Sequence, residues 1–454
     1  MRQTLPSSSA LLAILLIAAP GFAQTTWHVD ATAAPGGSGL SWSSAHDDLE
    51  TALLLAGPGD QIWVARGCYR PTHTLIQGDP RSATFKLSIE VRVYGGFAGF
   101  ETSLDQRAGF FDHTVLSGDL GVKGDYSDNA YHVVYLGENP VGNYFAWLDG
   151  FTISHGNANN PQSTQDQRGG GIFITIANVG WSPLLDLAHC KISDNRGVRG
   201  SGITVQNFGL LNMRDCHLTG NSAEDKGGAL LVHAGTLRAH NCRFDWNRGL
   251  KGGAVYLNSI ASDLGGGGAR VRFVNCLFHD NLAMRGGVAF LEGSGFTSGI
   301  GTWVNCTLDN NFAKTSGGAF FAKTGTVIPA RLTVRNSILW NNRAPLHPQI
   351  FGPGSEVTYC DIRGDWPGVG NFRADPQFVD RGARDYRTLA GSPAHDAGDN
   401  AAMFSDIADI DGDGNYFELV PYDFAGNPRF VDDPAALDTG AGTPPMIDIG
   451  AYEF

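Results

Sequence analysis

Four constellations in this chain combine residue types and spacing in ways that could do chemistry. The sharpest is Asp409-x-Asp411-x-Asp413-Gly414. Carboxylates alternating around a glycine supply the hard oxygen ligands that Ca2+ takes. The run matches the start of an EF-hand loop, but Val420 stands where the closing Glu belongs, and Glu418 falls two residues early. Asn415, Glu418 and Asp406 are further oxygen donors nearby. The competing reading is an acidic, solvated turn. A bound ion here would stiffen this end of the chain rather than catalyse.

The other three constellations are columns that exist only if the chain repeats. Asp245, His279 and Asp309 occupy equivalent positions of three successive phrases. Two carboxylates two strand spacings apart stand roughly 9–10 Å from one another, near the upper limit for inverting glycosidases. A histidine between them would act as a base or hold a metal, and the alternative is a polar stripe on a wet face. Arg168, Arg199, Lys226, Lys251 and Arg285 each precede a glycine corner. Such a column could grip the uronates of an acidic polysaccharide, or pair with neighbours such as Asp225. After the glycines come Phe173, Thr204, Leu231, Tyr256, Phe290 and Phe321. An apolar stripe there marks a partner, a sugar-stacking platform, or cover by the chain's own loops. Ile260–Ala269 and Gly293–Gly301 are long enough to supply that cover.

The repeat positions all of these. Lys226-Gly227-Gly228-Ala229-Leu230 returns at Lys251, Arg285 and Ser316, with earlier copies at Arg168 and Arg199. Between the copies runs Cys-x-apolar-x-x-Asn, from Cys190, Cys216, Cys242, Cys276 and Cys306 to Asn195, Asn221, Asn247, Asn281 and Asn311. Ser337 to Asn342 repeats it with Ser for Cys. Self-similarity at this period means a solenoid. The phrases are short, β-branched or aromatic, and bounded by turn residues, so each reads as a strand. Stacked coils of a right-handed parallel β-helix, an all-β fold, place the cysteines in an interior column and the asparagines in an amide ladder.

These phrases resemble the repeats of chlamydial-type polymorphic outer membrane proteins, marked by GGA(I/V/L) and FxxN. FxxN is met literally by Phe244 to Asn247 and Phe278 to Asn281. The resemblance covers about the middle two-fifths of the chain and implies a β-helix passenger at the cell surface, usually adhesive. Gln61–Ala65, Glu90–Tyr94 and Val115–Asp119 resemble the first part of secreted bacterial β-helix proteins with a pectin-lyase-like fold. Asp375–Asp380, Gly391–Ala394 and Asp448–Phe454 resemble the choice-of-anchor Q domain of secreted bacterial proteins. Autotransport is not expected, because no series of ten-residue amphipathic strands is present.

Four segments follow: 1–23 as a signal peptide, 24–148 as a cap with the first coils, 149–365 as the repeat core, and 366–454 as a looser terminal region. Arg2, the apolar Ala10–Ala19 and the small-x-small Gly21-Phe22-Ala23 fit secretion. The apolar run is too short to span a bilayer, and no transmembrane segment remains after cleavage. Loss of Arg2 leaves 31 basic against 45 acidic residues, a net charge of −14. Such a surface argues against nucleic acid and against acidic lipid. Five of the seven cysteines read as reduced, buried hydrophobes in one column, while pairing of Cys68 and Cys360 stays open. Ser44 precedes an amphipathic run of Leu49, Ala52, Leu53 and Ala56, expected as a helical cap over the first strand edges.

No Gly-x-Ser-x-Gly elbow, Walker loop or HExxH is present. The expectation is therefore an exported or surface protein with a binding or adhesive role directed at glycans, with polysaccharide cleavage on an outer face as the first alternative and a structural envelope role as the second.

Overall fold

Each Cys-x-apolar-x-x-Asn phrase lies directly over the one before it. In the computed structural model, Ile192, Leu218, Phe244, Phe278, Leu308, Leu339 and Ile362 follow one another in parallel register. The structure describes residues 24–87, 90–107, 109, 113–137, 144–175, 182–259, 268–293, 297–324, 328–406, 410, 413–415 and 417–454. The proposed signal peptide lies outside them. Among the described residues, no helix is long and apolar enough to cross a membrane.

One coil shows how the chain turns. Leu210–Arg214 enters a first sheet and His217–Thr219 a second. Ser222–Lys226 forms a short third side, and Leu230–His233 closes the circuit in a fourth. Thr236–His240 then pairs in parallel with Leu210–Arg214. Repetition yields parallel sheets of eleven, ten and nine strands among the described residues, with small sheets on the short side. This is the expected right-handed parallel β-helix.

The glycine corner is dictated sterically. Gly252 sits at φ +70°, where an L side chain is strained. A Cβ on Gly253 would stand 2.3 Å from the Gly287 carbonyl of the next coil. The ladder asparagine sits at another corner. Asn221 Nδ2 donates to Asn247 Oδ1 at 3.1 Å, and Asn247 Nδ2 to Asn281 Oδ1 at 3.1 Å. Each also donates to a carbonyl of the preceding coil, Ile192 and Leu218 here, so the buried amides are satisfied. The run begins where Gly156 N–H donates to Asn195 and ends where Asn342 donates to Gln349.

Inside, apolar side chains from all sheets form one continuous core. Phe244 stacks on Phe278 with centroids 4.6 Å apart and planes 5° from parallel. The cysteine column is as expected and longer: Cys190, Cys216, Cys242, Cys276 and Cys306 are buried and unbridged, and Cys360 continues them beyond Ser337. Cys242, Cys276 and Cys306 Sγ donate to the carbonyls of His240, Val274 and Val304 at 3.1, 3.2 and 3.3 Å. Cys68 is free and exposed.

The cap helix exists but starts later than expected. It spans Leu49–Leu55, and Asp48, not Ser44, accepts from Thr51 N–H at its N-terminus. Leu49, Ala52 and Leu53 are buried.

The larger difference concerns residues 366–454. Rather than being loose, their described part lies against the flank of the last coils. Ala402, Met403, Val420 and Ile447 pack on Val274 and Val304, and Ala394, Ala397 and Ile449 pack on Ile338. A second asparagine column receives them. Asn275, Asn305 and Asn336, each preceding a column Cys or Ser, hold φ of 53°, 50° and 47°. Their Nδ2 groups donate to the carbonyls of Tyr422, Asp448 and Asp399 at 2.7, 2.8 and 2.9 Å.

Candidate functional sites

Asp245, His279 and Asp309 come together in consecutive register, as the repeat requires. The face they occupy is not wet, however. The three residues are each 1% exposed: the chain's own 378–388 hairpin covers His279 and Asp309, while His217, Arg243 and His279 enclose Asp245. Asp309 Oδ2 meets Arg381 Nε at 3.1 Å and Tyr386 Oη at 3.4 Å. Tyr386 also packs its ring on His279, with centroids 5.5 Å apart. Arg384 holds Asp280 through two contacts of 2.6 and 2.9 Å, and Asp280 holds His279 Nδ1 at 2.8 Å. Asp245 Oδ2 lies 2.9 Å from His217 Nε2, 2.5 Å from Arg243 Nε and 3.4 Å from His279 Nε2.

Burial alone would raise both carboxyls. For Asp245 the His217 hydrogen bond reverses this and holds it far below the ordinary range. For Asp309 burial prevails over Arg381, and its carboxyl is pushed up. Opposed shifts of this kind suit an acid and a base, but the hairpin fills the space a sugar would need. The column instead serves as the seat of the terminal segment.

The aromatic stripe is likewise in register and likewise buried. Leu231, Tyr256, Phe290 and Phe321 form a cluster outside the main core, 0–9% exposed. The rings of Phe290 and Phe321 stack at 4.9 Å, those of Phe321 and Phe351 at 4.5 Å. The basic column provides the cover. Lys226 Nζ lies 4.8 Å from the Tyr256 ring centre, Lys251 Nζ 5.9 Å from Phe290, and Arg285 Cζ 5.5 Å from Phe321. Each cation thus reaches over the ring of the following coil, its alkyl stem on apolar surface and its charge outermost. The rings are not open for sugar stacking; the cationic heads are what the surface presents. Most of Ile260–Ala269, and part of Gly293–Gly301, lie outside the described residues.

The basic side chains continue one another along the corner: Arg168 beside Arg199, Arg199 beside Lys226, Lys226 beside Lys251, Lys251 beside Arg285. Among the described residues only Arg199 has a carboxylate partner, Asp225 at 3.4 Å. Burial lowers the pKa of Lys226, with Asp225 opposing.

A groove with no signature in the repeat pattern opens at the other end of the same short strands. Its volume is about 410 Å3, and Tyr126, Asn157, Asp194, Arg196, Ser222 and Glu224 are among its lining residues. Arg196 lies 3.6 Å over the Tyr126 ring centre, and Tyr126 Oη donates to the Asp194 carbonyl at 3.2 Å. Strand Arg196–Arg199 carries a groove residue at one end and a column residue at the other. So does Ser222–Lys226. Tyr126 comes from a loop far outside the repeat, which is why no pattern exposed the groove.

Of the expected Ca2+ loop, Asp409 and Asp411 lie outside the described residues. Asp413 is exposed and accepts from Asn415 N–H at 2.7 Å. Asp406 is buried and accepts from Ile410 N–H at 2.8 Å.

No protein-family model matches this sequence, and no curated protein matches it. Among solved structures, a pectate lyase, Pel9A, aligns over 95% of this chain and 97% of its own, with TM-score 0.53 and 13% identity. A pectin methylesterase from Aspergillus niger aligns over 82% and 92%, with TM-score 0.34 and 16% identity. A rhamnogalacturonan lyase aligns over 78% and 91%, with TM-score 0.29 and 11% identity. The first likeness shows a shared fold, the parallel β-helix of pectate lyases; the other two are too distant to add to it.

Proposed function

We propose that this is an exported β-helix protein that binds an acidic polysaccharide across its short side, from the Tyr126–Arg196 groove to the basic corner column. The observation that carries the proposal is the continuous row Arg168, Arg199, Lys226, Lys251 and Arg285, four of them without a carboxylate partner among the described residues. On a chain with net charge −13, such a row is a local exception. It advances one cation per strand spacing, about 4.8 Å, a step comparable to one sugar of an extended polyuronate. The groove adds polar side chains and one half-exposed tyrosine at the end of the row. The basic-apolar-small start of the sequence supports export to the surface or medium.

Binding of polygalacturonate, alginate and a neutral glucan, followed by titration calorimetry at two salt concentrations, tests this. The acidic glycans bind, more weakly at high salt. The double variant Lys251→Gln/Arg285→Gln, which keeps much of the alkyl cover over Phe290 and Phe321, loses roughly tenfold in affinity, about 1.4 kcal/mol, with little change in melting temperature. Equal binding of the neutral glucan, or no loss in the variant, refutes the proposal.

A second reading is cleavage of the same polymer, favoured by the full-length likeness to a pectate lyase. The groove would then hold the reacting sugar, with Asp194, Glu224 and Arg196 the residues to replace. Absorbance of unsaturated products during incubation decides between binding alone and binding with cleavage.

A further inference from the structure

Asp396, Asp432 and Asp438 converge at the base of the terminal segment. One carboxylate oxygen from each lies within 4.8 Å of the other two. Oxygens coordinated to a single Ca2+ at about 2.3–2.6 Å stand up to roughly 5 Å apart, so the cluster has the right span. Asp432 and Asp438 are exposed, but Asp396 is fully buried. Its Oδ2 accepts from Asp433 N–H at 3.2 Å, while its Oδ1 has no hydrogen-bond donor. A buried, unpartnered carboxylate oxygen is costly. Among the described residues no Lys or Arg forms an ion pair with any of the three, and neighbouring Asp433 is already held by His395 at 3.1 Å. Burial pushes the Asp396 carboxyl up, and Asp432, Asp438 and Asp433 push it further.

We infer that Asp396, Asp432 and Asp438 form a Ca2+ site separate from the Asp409–Asp413 run. The ion satisfies Asp396 Oδ1 and neutralises the mutual repulsion, and water completes its shell. Mg2+ suits the site less well, since it demands a tight octahedron of oxygens at about 2.0–2.1 Å. The site's position gives it a task. The Asp396 carbonyl accepts from Thr439 and Gly440 N–H at 3.0 Å each. Its own N–H donates to Asp448 Oδ1 at 2.8 Å, and the Asp448 carbonyl is held by Asn305. Ca2+ therefore fastens the 432–438 loop to the turn through which the terminal segment grips the coils. The inference is independent of the glycan proposal.

The test uses the whole chain, stripped with chelator and then titrated with Ca2+ by calorimetry and by thermal melting. The wild type gains a few degrees on saturation. Asp432→Asn/Asp438→Asn, whose changes are at exposed positions, binds one equivalent fewer and responds less. In chelator this variant melts at or above the wild-type temperature, because repulsion is relieved. Asp411→Asn/Asp413→Asn retains the equivalent. An unchanged stoichiometry in Asp432→Asn/Asp438→Asn, or a wild-type melt indifferent to Ca2+, overturns the inference.

Discussion

Arg384 clasps Asp280 through both of its terminal contacts, 104 residues away in sequence. The carboxylate side chain is 4% exposed and the guanidinium 27%. The pair is the bolt between the hairpin and the coils. Arg384→Ala leaves Asp280 buried beside His279 and Asn310 without its cation. Losing the charged partner of a buried carboxylate costs about 3–5 kcal/mol, here lessened by the remaining hydrogen bonds to roughly 2. Urea unfolding should show that loss, and limited proteolysis should show faster cutting within 378–388. A change below about 0.5 kcal/mol would mean the hairpin is held by its apolar contacts and by Arg381 and Tyr386 on Asp309.

Two buried groups give opposite pH dependences. Burial, together with the charges of Arg272 and Arg238, lowers the pKa of His240 to about 4; neither ring nitrogen has a hydrogen-bond partner. The unfolded chain takes up this proton near pH 6.5. Stability from His240 is therefore intact above that pH and drains away as the pH falls towards 4. Burial raises the pKa of Asp361 to about 7, against about 3.9 unfolded. Its contribution is intact below pH 3.9 and drains away as the pH rises through 7. Relative to wild type, His240→Leu should gain roughly 3 kcal/mol between pH 7 and 4, and Asp361→Asn a similar amount between pH 4 and 7. Denaturation midpoints at five pH values would check both, and parallel profiles for the two variants would contradict the assignment.

The ladder makes a sharper mutational statement. Asn247 accepts from the N–H and the Nδ2 of Asn221, and donates to Leu218 and Asn281. Asn247→Ala strands several fully buried groups at about 1–3 kcal/mol each. A total near 3 kcal/mol or more is expected by urea denaturation, well above the effect at half-buried Asn310. Equal effects would mean that water enters the corner.

Thiol titration reports on the interior column. Burial raises the pKa of Cys190, Cys216, Cys242 and Cys276 well above the ordinary value, so thiolate is scarce as well as hidden. A thiol reagent should modify Cys68 alone in the native protein, and all seven cysteines in denaturant. Fewer than seven in denaturant would indicate disulfides.

The repeat made the coil legible because it recurs: cysteine inward, asparagine at a corner, glycine at the next. Alternation also gave correct directions for Asp245 and Tyr256, since both project away from the interior. What alternation could not give is the thing lying outside the sheet. Asp309 is hidden by residues more than 70 positions later, and Tyr256 by a lysine stem from the preceding coil. Neither contact has a period. One signal was available, the asparagine before each column Cys or Ser at Asn275, Asn305 and Asn336. Residues tolerant of positive φ recur at that place from Asn241 to Asn336, and the last three of them receive the terminal segment.

The amide ladder has one further consequence. Every rung hands its Nδ2 proton onward in the same direction, from Asn195 to Gln349. The joints are therefore interchangeable: each begins with an acceptor and ends with a donor. A whole turn can be excised or duplicated between two asparagines and the cut ends will still mate. The length of such a molecule is open to change by simple arithmetic on its gene, while its two ends, each with a fitting of its own, must stay as they are.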